Sequence, residues 1–200
     1  MSVAILILAA YFTGAIPTSY IVARIKGIDL RQHGSGNLGA TNAYRVLGWR
    51  AAVPVFIVDI LKGWFPTFFF PLWDGNSNEL LALAYGAAAI VGHVFSIYVK
   101  FKGGKGVATS SGVLLALAPV AVLVGLVVWS ALVFTTGYVS LGSIVAAAVL
   151  PFVIFAVQGI GAVFWLSVAL AAFVIFAHRA NIKRLLRGEE HSFRKRRQVT

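Results

Sequence analysis

Six long apolar stretches dominate the chain, at roughly 2–23, 51–73, 79–99, 107–134, 138–157 and 160–178, and short polar segments separate them. Each approaches the ~20 residues that a helix needs to cross about 30 Å of hydrocarbon. Lipid offers no hydrogen bonds, so a spanning backbone must satisfy itself. The pattern therefore predicts an all-α, polytopic membrane bundle. The first stretch has no basic leader and no small-residue cleavage site, so it reads as a span and not as a signal peptide. The segment Thr41–Trp49 is short and amphiphilic and reads as a half-helix.

Composition strengthens the picture. Apolar residues make up 60% of the 200, and charged residues 12%. A soluble domain has roughly 45–50% and 25%. A soluble chain of this size has too much surface to hide so much apolar side chain. Disorder, a disulfide scaffold and a soluble nucleic-acid binder are excluded, and no nucleic-acid partner is expected. Residues 1–200 read as a single membrane domain in contact with the bilayer, with 182–200 as a basic cytoplasmic tail. Cysteine is absent, and the four histidines have no metal-ligand spacing, so neither a metal nor a cofactor is expected.

The net charge of +11 assigns orientation. Cations cluster in 24–50, in 100–105 and in the tail, whereas the link around Asp74 and Glu79 has none. Positive loops stay in the cytoplasm, so the N-terminus is expected outside and the C-terminus inside. Six crossings would put the tail, with its cations at 179, 183, 184, 187 and 194–197, on the wrong side. One stretch after 107 must then fail to cross. The candidate is 138–157, which opens on Gly137, Tyr138, Ser140, Gly142 and Ser143.

Three polar islands fall on the cytoplasmic side. The first runs His33-Gly34-Ser35-Gly36-Asn37-Leu38-Gly39-Ala40-Thr41-Asn42, with Arg45 following. Its GxGxxG lacks the βαβ context of a dinucleotide site. Glycines still let backbone approach a ligand, and a helix starting near Thr41 aims its free N–H groups at an anion. Ser35, Asn37, Thr41 and Asn42 add neutral donors for the ligand, and Arg45 adds a forked charge suited to phosphate. The second island, Lys100 to Ser110, surrounds Lys105 with Gly103, Gly104 and Gly106. It is no P-loop, since the required GK[ST] is missing, but it describes another anion nest. His93, inside the third span, reads as a helix–helix hydrogen bonder. The third island begins at His178, with Asn181 three residues on and on the same face, then Arg184. Asp59 and Lys62, three residues apart within the second span, read as a buried structural pair.

These motifs, Gly34 to Asn42, Gly92-His93 with Gly103 to Thr109, and His178 to Ile182, closely resemble the three cytoplasmic motifs of the PlsY family. The resemblance extends over essentially the whole chain. It implies a bacterial inner-membrane enzyme, built as about seven helices with some of them short. Such an enzyme moves a fatty acyl group from acyl phosphate to the 1-hydroxyl of sn-glycerol 3-phosphate. Lysophosphatidate and phosphate result, at the start of phospholipid synthesis.

Both substrates carry phosphate, and the chain offers two Gly-rich loops that bear cations. Ser35, Arg45, His178 and Asn181 are assigned to glycerol phosphate. Asn37, Thr41, Gly104, Lys105 and Ser143 are assigned to acyl phosphate, with Gly34, Gly36 and Gly103 shaping the loops. Ser35, His178 and Asn181 are the candidate catalytic residues. No His stands five before an Asp, and no GxSxG is present. Ser35 also has no adjoining base. Direct attack is therefore expected, with His178 or a substrate phosphate oxygen as the base. A transporter or channel for phosphate or phosphorylated metabolites is the alternative, since broken helices and Gly-rich anion sites suit it too.

Overall fold

The structure is a computed structural model that describes residues 1–75 and 78–193. Among the described residues it contains ten α-helices, two 3-10 turns and no strand. Contacts divide the chain into two compact units, Met1–Leu117 and Ala118–Thr200.

The first unit holds α1 (Val3–Ala15), α2 (Thr18–Ile25), α3 (Ala40–Leu47), α4 (Trp49–Asp74), α5 (Glu79–Val94) and α6 (Val107–Leu117). The expected continuous span 2–23 is broken at Ile16-Pro17, and α1 and α2 meet at 41°. Proline lacks an N–H and clashes with the preceding turn, so a helix restarts there at little cost. Helix α1 packs on α5, and α4 on both α5 and α6. Small residues permit this closeness. A Cβ at Gly14 would collide with the Ala89 carbonyl, and one at Gly92 with the Tyr11 carbonyl. Gly63 and Gly112 make the matching approaches between α4 and α6, against Thr109 and Ile60. In lipid such close packing replaces the hydrophobic drive. The half-helix expected at Thr41–Trp49 is present as the eight-residue α3.

The second unit holds α7 (Pro119–Thr136), α8 (Val139–Gln158), α9 (Ala162–Ala177) and α10 (Arg179–Leu186), with α8 between α7 and α9. Its outer side chains are apolar and bare, as a lipid solvent requires. Val127 is 68% exposed and Phe152 74%. Two span expectations are corrected here. The stretch 107–134 is two helices, because Pro119 takes the first helical position of a new one. The stretch 138–157 is a full 20-residue apolar helix, long enough to cross. The short member is α6, whose 11 residues reach only about 16 Å. Among the described residues, four helices are long and apolar enough to span, or six when the bent pairs α1–α2 and α9–α10 each count as one. The basic run Arg194–Arg197 lies outside the described residues.

Candidate active site

The first island is an ordered loop closed by one buried side chain. Asn42, on the first turn of α3, is 1% exposed. Its Oδ1 accepts the Ser35 N–H at 2.8 Å, and its Nδ2 donates to the carbonyls of His33 at 3.1 Å and Leu30 at 3.3 Å. Gly34 (φ +63°) leaves no room for a side chain, since a Cβ there would strike Asn42 Oδ1. Ser35 is held exposed at the tip. Asn42 and the Ser35 amide are thus spent on the loop, which corrects the sequence-based expectation that Asn42 faces a ligand. Leu38, 4% exposed, anchors the far side. Thr41 and Arg45 lie one turn apart on α3, both half-buried, with Asn37 just ahead of the helix.

Upstream, Asp29 braces the same loop. Its carboxylate accepts from Arg31 Nη2 at 2.7 Å, Arg31 Nε at 3.0 Å and the Arg31 amide at 3.1 Å. These hydrogen bonds, the Arg31 side chain first, pull its pKa down to about 2. The His33 ring donates from Nδ1 to the Asp29 carbonyl at 2.9 Å.

The second island folds back on the end of α5. The Gly103 N–H donates to Val94 O at 2.9 Å and the Gly104 N–H to His93 O at 3.3 Å. Both amides therefore serve the loop itself. These glycines contribute space: a Cβ at Gly103 would hit the His93 carbonyl, and one at Gly104 the His93 ring. The same Cβ would lie 2.9 Å from the Leu38 carbonyl of the first island. The structure thus brings these two islands together within the first unit. Gly106 (φ +78°) turns the chain into α6, whose first N–H groups have no preceding turn to donate to. Lys105, half-buried, stands beside them.

The third island belongs to the second unit and is organised by a residue that sequence reasoning passed over. Glu190, 6% exposed, accepts from Asn181 Nδ2 at 2.7 Å, Ser140 Oγ at 2.9 Å and Arg184 Nε at 2.7 Å. Burial opposes its ionisation, but the hydrogen bonds from Asn181, Arg184 and Ser140, with the Arg184 charge, hold its pKa below the ordinary carboxylate range. Glu190 gets there because the chain turns at Gly188 and runs back to the α7–α8 turn, where the Phe193 N–H donates to Gly137 O at 3.0 Å. The available signal was an acidic pair directly after Gly188 in an otherwise basic tail. His178, 4% exposed, donates from Nδ1 to the Val174 carbonyl at 2.8 Å. That bond fixes the tautomer, so in the neutral ring the lone pair lies on Nε2. Ser143 donates to Val139 O and accepts from Trp129 Nε1 at 3.2 Å.

The chain is similar to known proteins over nearly its whole length. A family model for glycerol-3-phosphate acyltransferase matches residues 4–188. Curated relatives of that name include those of Geotalea daltonii, 42% identical over 96% of this chain and 97% of the relative, and Fusobacterium nucleatum, 46% identical over 94% and 96%. The crystal structure of PlsY, an integral membrane glycerol 3-phosphate acyltransferase, in its glycerol 3-phosphate form is 38% identical, with a TM-score of 0.90 over 96% of both chains. Its lysophosphatidic acid form gives 0.87 at 37% identity.

Proposed function

The chain belongs to the integral membrane glycerol-3-phosphate acyltransferase family, which serves phospholipid biosynthesis, and from that premise we propose that its acyl donor is acyl phosphate and its products lysophosphatidate and inorganic phosphate. The observation that carries this reading is the contact of the two Gly-rich loops in the first unit, Gly104 against Leu38. It brings Lys105 and the start of α6 toward the loop that presents Ser35 and the start of α3. Two helix N-termini with two cations suit a reaction in which acceptor and leaving group both carry phosphate. The known protein's glycerol 3-phosphate and lysophosphatidic acid forms supply the matching acceptor and product.

In this reading Ser35, Arg45, His178 and Asn181 bind glycerol phosphate and Lys105, Thr41 and Asn37 bind acyl phosphate, which Ser143 joins only by turning its hydroxyl proton away from the Val139 carbonyl. Gly34, Gly36, Gly103 and Gly104 give the loops their shape. The acceptor's 1-hydroxyl oxygen attacks the acyl carbonyl carbon. A C–O bond forms, the bond from that carbon to the phosphate oxygen breaks, and phosphate departs with both electrons. The hydroxyl proton passes to His178 Nε2 or to a phosphate oxygen. Acyl phosphate is an activated mixed anhydride, so a weak base suffices. Asn181 and backbone N–H groups stabilise the developing oxyanion. All 200 residues act as one membrane domain, in the bacterial cytoplasmic membrane, with the polar loops and C-terminus on the cytoplasmic side.

The test is phosphate release from palmitoyl phosphate by the purified, lipid-reconstituted protein, with and without sn-glycerol 3-phosphate and with palmitoyl-CoA as comparison donor. Phosphate and lysophosphatidate appearing together, only when acyl phosphate and acceptor are both present, is the expected result. Turnover with palmitoyl-CoA alone would overturn the donor assignment. A fatty-acyl mass increment on Ser35 would overturn direct attack.

A further inference from the structure

Beneath the junction of the two loops the first unit buries a charged node that no step of the reaction uses. Asp59, Lys62 and His93 are 2%, 5% and 7% exposed. Lys62 Nζ lies 2.7 Å from Asp59 Oδ1 and donates to the Ile16 carbonyl at 2.9 Å. That carbonyl sits at the α1–α2 break, where proline has interrupted the helical ladder. His93 Nδ1 lies 3.9 Å from Asp59 Oδ1. The opposite edge of the ring, at Nε2, abuts Gly104. The node thus links the α1–α2 break, α4 and the end of α5 to the loop that carries Lys105.

The neighbouring contacts leave His93 little freedom. Gly92 is seated against the Tyr11 carbonyl of α1, and Ser96 Oγ donates to Ala15 O at 2.5 Å. The His93 carbonyl accepts the Gly104 N–H, so main chain and ring of one residue both touch the same turn. A charge at the centre of a spanning helix is costly, and a buried pair recovers little beyond its own desolvation. Net stability is therefore a poor account of the node. Rigid support for a loop one residue from a phosphate ligand is a better one.

We infer that His93, seated on the Asp59–Lys62 pair, is a positioning residue whose ring is the shelf for Gly104 and thereby sets where Lys105 holds the donor phosphate. The inference rests on the assignment of Lys105 to acyl phosphate. A shelf acts on binding of ground and transition state alike, so its loss raises KM for the donor and leaves kcat nearly unchanged.

The test uses two side chains that each copy one edge of the ring. Glutamine places its terminal amide where Nε2 stood; asparagine reaches only to Nδ1 and leaves the Gly104 side open. Donor KM should rise about tenfold or more in H93N, as for a catalytic group displaced by a fraction of an ångström. H93Q should stay within about twofold of wild type on the same physical grounds. A Gly104→Ala defect should be partly relieved by H93N, which vacates the colliding ring. A Gly103→Ala defect should not be, because its obstacle is the main-chain carbonyl of residue 93. Equal KM in H93N and H93Q, a fall in kcat at unchanged KM, or equal relief of both glycine variants would each overturn the inference. Thermal melts of the reconstituted protein check folding, and H93A replaces H93N if the buried amide prevents it. Failure of both to fold while H93Q folds also overturns it, since His93 then serves the fold alone. Lys105→Ala separates the two levels. If it leaves donor KM unchanged, the Lys105 assignment is lost; if it raises KM and H93N does not, only the shelf is lost.

Discussion

Breaking the Asp59–Lys62 pair from one side should destabilise the protein more than removing the pair whole. At 2.7 Å and an effective dielectric of ~20, the attraction is roughly 6 kcal/mol. Substituting Asp59→Asn forfeits it, and leaves the Lys62 ammonium buried with the Ile16 carbonyl as its strong remaining partner. Part of the loss is returned because one charge no longer needs desolvation, so the net cost is about 3–5 kcal/mol. For a chain near 200 residues each kcal/mol moves Tm by about 2–4 °C, which gives a fall of roughly 6–20 °C. The double variant Asp59→Asn with Lys62→Met buries no charge. Its remaining cost is the Lys62 hydrogen bond lost at the Ile16 carbonyl, which keeps the Thr18 N–H as a partner, about 1 kcal/mol. It should therefore recover at least part of the loss seen in Asp59→Asn. Thermal unfolding in detergent, followed by the fluorescence of the chain's five tryptophans, reads Asp59→Asn, Lys62→Met alone and the double variant. A double variant that loses at least the sum of the two single losses would refute the reasoning, because the two groups would then be independent and not a mutually neutralising unit.

Asn42→Ala removes three hydrogen bonds and orphans the Ser35 amide, so it should cost about 3 kcal/mol and loosen the loop, seen as a lowered Tm and faster amide exchange at 33–36. Gly92→Ala drives a methyl into the Tyr11 main chain and should cost about 1–3 kcal/mol or more. Gly75→Ala meets open space and only a left-handed backbone, for about 1–2 kcal/mol. Melting in detergent compares the two. Asp29, at about 2, and Glu190 both have folded pKa values below their unfolded ones. Their stabilisation is therefore complete above the unfolded pKa near 4 and is lost as pH falls through the folded values. Tm should be level above about pH 5 and fall below about pH 4, and less steeply in Glu190→Gln. Because cysteine is absent, single cysteines at Lys102 and Glu79 test the topology. A membrane-impermeant thiol reagent applied to intact cells should label position 79 and spare position 102, and the reverse would invert the orientation.

The membrane class, the apolar stretches and the Gly-rich, cation-bearing islands were legible in the chain, because lipid selects for length and hydropathy and the polar residues then stand out against it. These are properties of a short window of sequence. The helix breaks were only half legible. Pro17 and Pro119 begin new helices, yet α4 runs through Pro54, Pro66 and Pro71, and α8 through Pro151. The ring effect is the same at each site, so a proline alone does not tell a helix end from a helix interior; at the Pro17 break the Ile16 carbonyl accepts from Lys62 Nζ and from the Thr18 N–H. Asn42 looked like a ligand donor and is a loop clamp, and Gly103 and Gly104 offer space in place of N–H groups. Glu190 was invisible as a partner of Ser140, because 50 residues separate them and only the return of the chain past Phe193 joins them. The sequence by itself determined the solvent, the helical class and the kinds of group available for chemistry, since each follows from local composition. The tertiary structure alone decided which polar groups remain for substrate and which are consumed in holding the loops, because a hydrogen bond depends on where two distant segments meet.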